Sequence, residues 1–490
     1  MNSRFIHREL TGSQTPGLIN NFKEIIMTIL FLLLTVSFLV FYFTTCTSGF
    51  ESLISPTGLL KYDKSKAYDG YTLFSPMREC TTTYLINMEG NAVHKWETEF
   101  PPGLHSMLLE NGNLLIGSNL RKESPVVIGG LGGKVQEYDW DGNLLWEYRM
   151  CSDTEVHHHS FWRMPNGNTL LLGWEPKSQE EALAKGRKPG TFPDEVIPHG
   201  PEGPPTGGKN EEPGEDAPPP PKPITHFWPD FVREVDEKCN VVWEWHAWDH
   251  IGEGLDKLDI NFRLPEPIGG PYPNFDWTHF NTVSYIPETD QILLNSRNFS
   301  EFYLVSYKTG KIEYRWGNPS AYGGGKRPEW YDDGDQKVFG SHHVTRLDNG
   351  NFQIFDNGSE RPEGNRSRVV EVDPKSGEVV WEYRSKDPNN FYSRRQGAAQ
   401  RLPNGNVLVT SSVHGHLFEV NQEGEVVWDY INPIDLGKPV CKLEDGPTGN
   451  MIHRAHRYGK DYSGLQGKDL SREEVLAPGC PEFWKIYGDL

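Results

Sequence analysis

Histidine recurs at one position of a repeated segment of this chain, directly before a β-hairpin. The five segments read GLHSMLLENGN, VHHHSFWRMPNGN, DWTHFNTVSYIPETD, GSHHVTRLDNGN and RRQGAAQRLPNGN. The histidines are His105, His157, His158, His159, His279, His342 and His343. One such histidine alone is more often structural, but four segments in register predict a convergent cluster. Imidazole can act there as an acid, a base or a nucleophile.

A metal site is the first alternative for such a cluster, since imidazole binds zinc and copper. Asn281 and Arg297 accompany the histidines, however, and the permanent charge of a guanidinium repels a metal ion. Arginine presents a fixed fork of N–H donors to oxyanions, and an amide adds another donor. The combination favours an anionic tetrahedral group as the ligand, and we predict neither a metal nor a cofactor.

The strands that carry these histidines belong to a repeat. A polar turn followed by a short apolar strand with tryptophan occurs six times, at Trp96, Trp146, Trp243, Trp316, Trp381 and Trp428. Hairpins such as RMPNGNTLLL lie between the copies, and their Asn-Gly turns accept positive φ. Units of four strands and this length are typical of propeller blades, whose inner strands line one channel. We predict an all-β, six-bladed β-propeller over residues 55–460; a stacked β-sandwich would not explain six copies of one motif.

The N-terminus predicts a membrane-associated segment. Residues 25–43, IIMTILFLLLTVSFLVFYF, are uncharged and long enough to cross a bilayer as a helix. Positive charges precede this run, so we expect residues 1–24 to be a cytoplasmic tail or the start of a signal peptide. The rest of the chain would lie on the extracytoplasmic side, periplasmic or extracellular. Whether the run is a retained transmembrane anchor or a cleaved signal stays open.

Two other segments stand apart from the repeat. Residues 175–225 are rich in proline, glycine and acidic residues, which predicts a surface loop or disordered insertion. Residues 461–490 are expected to form a C-terminal cap or tail. The formal net charge of −20 argues against nucleic acid as a partner. The oligomeric state stays open.

Two segments carry a resemblance to a known family. DWTHFNTVSYIPETDQILLNSRNFS, residues 276–300, resembles the signature of bacterial aryl sulfate sulfotransferases. SHHVTRLDNGNFQIFDNG, residues 341–358, resembles the family's histidine strand, and NRSRVVEVD resembles a further stretch that includes Arg368. The family is a six-bladed periplasmic propeller that moves a sulfuryl group from a phenolic sulfate ester to a phenol without a nucleotide sulfate donor. The resemblance implies the same activity, with a phenolic sulfate and a phenol as small-molecule partners.

The resemblance also implies roles for individual residues. His342 falls on the covalent histidine of the family and would become a sulfohistidine in a ping-pong mechanism. His279 would protonate the departing phenolate and later take a proton from the acceptor. Arg297 and Asn281 would hold the sulfuryl oxygens. His159, expected in the first blade, would add a further contact.

Four more residues are candidates for substrate binding: His158, Arg368, His453 and Arg454. The last two lie in IHRAHRYGKDY, which is equally consistent with a channel strand and with a closing strand at the surface. His343 follows His342 along a strand and therefore points to the opposite face. We expect it to pack between blades.

Three other functions remain open from the sequence. A quinone-dependent dehydrogenase propeller would need a calcium site, but no cluster of acidic residues occurs at the channel-facing positions. A non-catalytic propeller that binds a sulfated ligand or a partner protein would keep the same histidines. A sulfatase would use the same site with water as the acceptor.

Overall fold

The computed structural model of the chain describes residues 56–189, 191, 226–262, 275–387, 390–440 and 449–477. The predicted N-terminal tail, the apolar run 25–43 and most of the predicted insertion 175–225 lie outside the described residues, and so do the last residues of the predicted C-terminal tail. In the part of the chain that is described, no helix is long and apolar enough to cross a membrane. The predicted domain boundaries stay predictions.

Six antiparallel sheets make up the fold, and we number them as blades one to six. Each blade has four main strands, written here from the centre outwards. Blade one consists of β28 (Ile452–Gly459), β2 (Gly70–Pro76), β3 (Thr82–Ile86) and β4 (Asn91–Glu97). Blade two consists of β5 (Pro102–Leu108), β6 (Leu114–Asn119), β7 (Gly133–Tyr138) and β8 (Leu144–Arg149). Blade three consists of β10 (Glu155–Arg163), β11 (Thr169–Trp174), β12 (Asp230–Val235) and β13 (Val241–His246).

The second half of the chain forms the other three blades. Blade four consists of β14 (Phe280–Ile286), β15 (Gln291–Ser296), β16 (Glu301–Ser306) and β17 (Ile312–Trp316). Blade five consists of β18 (His342–Arg346), β19 (Phe352–Asp356), β20 (Arg368–Val372) and β21 (Val379–Tyr383). Blade six consists of β22 (Ala398–Arg401), β23 (Val407–Ser411), β24 (His416–Val420) and β25 (Val426–Ile431).

Short elements complete the structure. The remaining strands are β1 (Gly58–Tyr62), β9 (Cys151–Ser152), β26 (Ile434–Asp435), β27 (Lys438–Pro439) and β29 (Glu474–Val475). The described residues include one α-helix, α1 (Gln179–Ala184), which begins with a capping box between Ser178 and Glu181. The 3-10 turns are Ala247–His250, Pro319–Tyr322, Ser412–His414 and Ser463–Leu465.

The two ends of the propeller sequence close the ring. The inner strands β28, β5, β10, β14, β18 and β22 contact one another in that order, and β22 contacts β28 again. β1 adds to the outer edge of blade six, whereas β28, from the end of the chain, is the inner strand of blade one. The prediction of an all-β, six-bladed propeller is confirmed. The segment IHRAHRYG is both the closing strand and a channel strand.

Hydrophobic side chains fill the space between neighbouring blades. In β15, Leu293 packs with Phe352 of blade five, whereas Leu294 packs with Leu170 and Val232 of blade three. This opposite orientation of successive residues follows from the two-residue period of a strand. Because every blade has neighbours on both sides, its strands are apolar on both faces. The core is therefore a ring of interblade layers around the central channel.

The repeated tryptophans lie on the fourth strand of each blade, and several bind the next blade. The indole Nε1 of Trp96 donates to Asp139 O at 2.9 Å, that of Trp316 to Gly377 O at 2.8 Å and that of Trp428 to Met88 O at 2.8 Å. The last of these bonds joins blade six to blade one. The repeat seen in the sequence is therefore an interblade latch.

Replacing Trp428 by phenylalanine should destabilise the closure of the ring. The side chain of Trp428 is fully buried. Phenylalanine has no Nε1–H, so the substitution leaves the carbonyl of Met88 without its hydrogen-bond donor. We expect a cost of about 1–3 kcal/mol in the free energy of unfolding, measured by urea titration. Trp330→Phe is the control, since Trp330 is 92% exposed and its replacement should change stability by less than about 0.5 kcal/mol. Equal stability of the two variants would contradict the latch.

Candidate active site

The inner strands bring buried histidines together in the channel. The ring centroids of His159 and His279 are 4.6 Å apart, and those of His159 and His453 are 6.4 Å apart. Arg297 and the ring of His279 act electrostatically on His342, which places them in the same group. The sequence predicted this convergence. His159 lies in blade three, however, and its predicted position in the first blade is wrong. Strands β2, β3 and β4 already form most of blade one, and they precede the first histidine segment in the chain.

The backbone at these histidines is irregular. His159, His279 and His343 have φ of 48°, 47° and 47°, in the left-handed region that non-glycine residues seldom adopt. The pairing of β10 with β11, of β14 with β15 and of β18 with β19 shifts register at the same places. Such bulges bend the start of a strand and redirect its side chains. Backbone strain of this kind is characteristic of functional sites.

His342 is held as one tautomer by neutral acceptors. Its Nδ1 lies 2.7 Å from Asn357 Oδ1 and 3.0 Å from Gly340 O, so Nδ1 carries the proton and donates to them. Nε2 then has a lone pair, which accepts the backbone N–H of Gln396 at 3.2 Å. Burial lowers the pKa of His342 well below its ordinary value, and the charge of Arg297 acts in the same direction. The ring is therefore neutral at pH 7.

Asn357 is itself fixed in orientation. Its Nδ2 donates to Ser393 O and to Gln396 O, each at 2.7 Å, so its Oδ1 must face His342. The preceding Asp356 accepts from Phe339 N at 2.7 Å and pairs with Arg361 at 2.6 Å. The FDNG segment thus supplies an anchored aspartate and an oriented amide, and the amide orients the histidine.

His279 forms a dyad with Asp276. Its Nδ1 makes a short hydrogen bond with Asp276 Oδ2, three residues earlier, and both residues are buried. Asp230 of blade three holds the residues on either side of His279. Its carboxylate accepts from the hydroxyl of Thr278 and, at 3.0 Å, from the amide of Phe280. The other ring nitrogen of His279, Nε2, is left for the channel.

His158 supports His159 from behind. Its ring stacks on Trp174 with centroids 3.9 Å apart, and its Nδ1 lies 2.9 Å from Nδ1 of His159. Its Nε2 lies 3.0 Å from Asp230 Oδ1, an electrostatic contact rather than an aligned hydrogen bond. Burial lowers the pKa of His159 well below the ordinary value. His158 is therefore a positioning residue, whereas His159 contacts the other histidines of the channel.

Arg454 reaches across the channel from β28. Its guanidinium donates to Asn281 O and, at 3.2 Å, to Thr282 Oγ1 of blade four. Its Nε has no hydrogen-bond partner, and no carboxylate of the described residues lies within 4 Å of it. Burial lowers its pKa to about 9, so it stays charged at pH 7. On the same strand, Arg457 is paired with Glu419 at 3.3 Å. A buried cation without a counter-ion favours an anionic ligand.

Asn281 is largely committed to the protein. Its Nδ2 donates to Ser341 O at 2.8 Å, directly before His342, and its Oδ1 accepts from Asn295 at 2.9 Å. It therefore ties blade four to the start of β18. Asn281 lies in the cluster as predicted, but its contacts are those of a positioning residue for His342.

A second group of histidines continues the cluster along the channel. The ring of His456 lies 5.6 Å from that of His105 and 5.9 Å from that of His343. Nδ1 of His343 lies 3.0 Å from Ala399 O of blade six, so His343 connects blades five and six as expected, but its ring also borders the channel instead of pointing away from it. Both ring nitrogens of His453 are buried without a hydrogen-bond partner. His453 and Arg454 thus face the channel, whereas the sequence left their position undecided.

Arg368 does not join this cluster. Its Nε donates to Asp356 at 2.8 Å, and its Nη1 pairs with Glu382 at 2.5 Å. Both carboxylates belong to blade five, so the guanidinium is consumed by structural ion pairs. Its prediction as a substrate-binding residue is not supported by these contacts.

Sequence reasoning missed three contributors. Asp276 stands in the DWTH segment and Asn357 in FDNG, so a polar residue at a fixed distance from a candidate histidine was a visible signal. The third is the backbone N–H of Gln396, which has φ of 57°. A backbone N–H donor cannot be recognised from the residue type. Among the described residues, no group of three or more histidine, cysteine, aspartate or glutamate side chains is arranged to hold a metal ion.

Two solved structures have a related backbone at low similarity. A protein of unknown function from Bacteroides caccae is 12% identical with a TM-score of 0.44, and the match covers 79% of this chain and 98% of that one. A catalytically inactive virginiamycin B lyase from Staphylococcus aureus is 11% identical with a TM-score of 0.34, covering 77% and 88%. At these TM-scores, the two likenesses add nothing to the assignment.

The sequence comparisons are more specific. Arylsulfate sulfotransferase AssT of Escherichia coli O6:H1 is 25% identical over 278 residues, which cover 46% of this chain and 46% of the relative. The chain thus spans about half the length of the curated relative it matches. Residues 223–442 match the arylsulfotransferase (ASST) family, a stretch that contains His279, Arg297, His342 and Asn357. The resemblance stated from the sequence is therefore confirmed: residues 223–442 of this propeller are similar to the arylsulfotransferase family.

Proposed function

We propose that this chain transfers a sulfuryl group from a phenolic sulfate ester to a phenol through a sulfohistidine on His342. One observation carries the proposal. His342 is a neutral, buried histidine whose Nδ1–H is bound to Asn357 and Gly340, so Nε2 carries the lone pair; it accepts the N–H of Gln396 at 3.2 Å in a site to which Arg297 contributes positive charge. The match of residues 223–442 to the arylsulfotransferase family supports the same chemistry.

In the first half of the proposed reaction, the Nε2 lone pair of His342 attacks the sulfur. The bond between sulfur and the phenolic oxygen breaks, and that oxygen takes the electron pair and the Nε2 proton of His279. The imidazolium of His279 is stabilised by Asp276, which binds its Nδ1–H. The product is phenol and an N-sulfonated His342, whose positive ring is stabilised by the amide oxygen of Asn357.

The second half reverses these steps with another phenol. Neutral His279 takes the hydroxyl proton of the acceptor, whose oxygen attacks the sulfur, and the N–S bond breaks so that Nε2 of His342 regains its lone pair. Asn357 is an amide and not a carboxylate, so it does not add a charge that would bind the proton of Nδ1 too tightly. A neutral partner therefore keeps His342 both a nucleophile and a leaving group.

Three groups are placed to hold the sulfuryl oxygens in this proposal. Arg297 and Arg454 supply positive charge close to His342. The N–H of Gln396, which lies 3.2 Å from Nε2, would turn to a sulfuryl oxygen when the N–S bond forms. Each well-placed donor of this kind contributes about 3 kcal/mol of transition-state stabilisation. His159 and His453 complete the wall of the site. We also propose the extracytoplasmic location predicted from residues 25–43.

The partition between acceptors tests the proposal. The protein is incubated with 4-nitrophenyl sulfate, with and without added phenol, and the sulfated phenol and free sulfate are quantified. Sulfated phenol in excess over free sulfate supports the transferase. Free sulfate alone at every phenol concentration would make the enzyme a sulfatase. If the folded protein formed neither sulfated phenol nor free sulfate, the result would favour a propeller that only binds sulfated ligands.

The Asp276–His279 dyad gives a leaving-group test. Asp276→Asn removes the charge that stabilises the imidazolium, so we expect the rate with phenyl sulfate to fall about 10²–10⁴-fold. With 4-nitrophenyl sulfate the fall should be much smaller, because its phenolate leaves without needing a proton. Asp429→Asn is the matched control, since Asp429 binds the buried His416 at 2.7 Å in blade six. Equal effects on both substrates would contradict the role of His279 as the acid.

A further inference from the structure

A pocket of about 700 Å³ opens beside the histidine cluster. It lies among the connection from β17 to β18, the β15–β16 loop and the β19–β20 loop. Arg297 and Gly340 line it on one side, and Trp330 and Tyr331 line it on another. The described lining also includes Phe262 and Phe339. Its walls therefore combine a candidate catalytic cation with aromatic side chains.

Gly340 connects this pocket to the reacting nitrogen. Its carbonyl accepts the Nδ1–H of His342 at 3.0 Å, and its amide donates to Ser300 Oγ at 3.0 Å. Ser300 also lines the pocket. A group bound in the pocket would thus lie next to the residue that fixes the tautomer of His342. Gly340 in the pocket wall is two residues before His342 in the chain.

A small hairpin presents the two aromatic side chains. Glu329 and Asp332 exchange backbone hydrogen bonds of 2.9 and 2.7 Å, which leaves Trp330 and Tyr331 at the tip of the turn. Their side chains are 92% and 79% exposed. Tyr331 has φ of 57°, so the turn is strained where the aromatic pair lies. Two adjacent large aromatic residues are seldom left exposed without a ligand or a partner.

The hairpin is braced rather than loose. Lys326 pairs with Asp332, and the amide of Lys326 donates to Asp335 at 2.6 Å. Arg361 of the β19–β20 loop pairs with Asp333 and, at 2.6 Å, with Asp356. Asp356 adjoins Asn357, the partner of His342. The same ion-pair network thus anchors both the aromatic tip and the nucleophile's orienting amide.

We infer that this pocket is the aryl site of the proposed reaction, and that Trp330 and Tyr331 stack on the ring of the donor and then of the acceptor. The inference rests on the proposed function, because a ping-pong enzyme exposes one site to both phenols in turn. A volume of about 700 Å³ lies in the range of pockets for drug-sized ligands, ~300–1,000 Å³, and is large for a single phenol ring. The preferred substrates are therefore multi-ring phenols and their sulfates.

The test compares 2-naphthol with phenol as acceptors, with 4-nitrophenyl sulfate as the donor. In the wild-type protein we expect kcat/KM to favour 2-naphthol by about tenfold, the equivalent of a strong aromatic stacking contact. In Trp330→Ala and Tyr331→Ala this preference should fall, through a raised KM for 2-naphthol. Leu145→Ala, an exposed position on β8 of blade two, is the control and should keep the preference.

The outcomes separate this inference from the proposed function. If the wild-type protein forms sulfohistidine but both variants keep the wild-type preference, the aryl site is wrong and the transferase stands. If the wild-type protein forms no sulfohistidine, the proposed function fails. Calorimetric titration with 2-naphthyl sulfate then tests whether the pocket binds an aryl group. Binding that is weaker in Trp330→Ala than in the wild type and in Leu145→Ala would then support an aryl site. Equal affinity in all three would overturn it.

Discussion

His342→Ala should leave a folded propeller that releases 4-nitrophenolate at least about 10⁴-fold more slowly than the wild-type protein. His342 is the only protein nucleophile in the proposed mechanism, so its removal takes away the covalent route altogether. Loss of a catalytic nucleophile costs rate by factors of about 10⁴ or more. Steady-state assays with 4-nitrophenyl sulfate, at matched protein concentration, measure the effect.

The control for this variant is His416→Ala. His416 is fully buried like His342, and it is hydrogen-bonded to Asp429 in blade six, away from the channel cluster. A similar loss of packing should lower its stability but leave the rate within a fewfold of the wild type. If His342→Ala kept a substantial part of the activity, another residue would have to be the nucleophile. If both variants lost all activity, the loss would reflect folding.

Acid should destabilise the protein steeply. Burial lowers the pKa of a set of channel histidines, and the largest cause is desolvation in each case. The set is His105, His157, His159, His342, His343, His453 and His456. The pKa falls to about 3 for His157 and to about 4 for His456. These side chains stay neutral in the folded state at pH values where the unfolded chain is protonated.

The direction follows from proton linkage. Below the ordinary histidine pKa of about 6.5, the unfolded state binds more protons than the folded state, so the free energy of unfolding falls as the pH falls. Each such histidine contributes about 1.4 kcal/mol per pH unit until its own folded pKa is reached, and for His456 this window runs from about 6.5 to about 4. We expect urea midpoints to fall sharply from pH 7 to pH 5.

Removal of one titrating group tests this slope. His456→Gln should reduce the pH dependence between pH 6.5 and pH 4 by about one proton. His246→Gln is the control, since Glu175 raises the pKa of His246 against the opposing effect of burial. This control should not reduce the slope. A stability that is flat from pH 7 to pH 5 would show that the buried histidines are charged in the folded protein.

Much of the fold was predictable from the sequence because its signals are local and repeated. The tryptophan of each copy lies on a fourth strand, and Gly350 and Gly405 of the Asn-Gly turns have φ of 91° and 90°. The convergence of the histidines followed from topology alone, since equivalent positions of inner strands must meet in the channel. These predictions needed only the repeat and its register.

The remaining features depend on contacts between distant residues. The inner position of β28, which brings His453 and Arg454 into the channel, depends on how the chain closes, and no local signal reveals it. Asn281 carries the residue type of an oxyanion donor, yet its amide binds Ser341. His159 was assigned to the wrong blade because β2, β3 and β4 of the first blade precede the first histidine segment in the chain. Residue type therefore predicted the chemistry of the cluster better than the partner of each atom.

The most direct measurement is the intact mass of the wild-type protein after rapid mixing with 4-nitrophenyl sulfate and quenching. A gain of one sulfuryl group, located on His342 by peptide mapping and removed on addition of phenol, is the predicted result. The same gain should be absent from His342→Ala and present in His416→Ala. Release of 4-nitrophenolate by the wild-type protein with no transient mass gain, or a sulfuryl group found on another residue, would contradict transfer through His342.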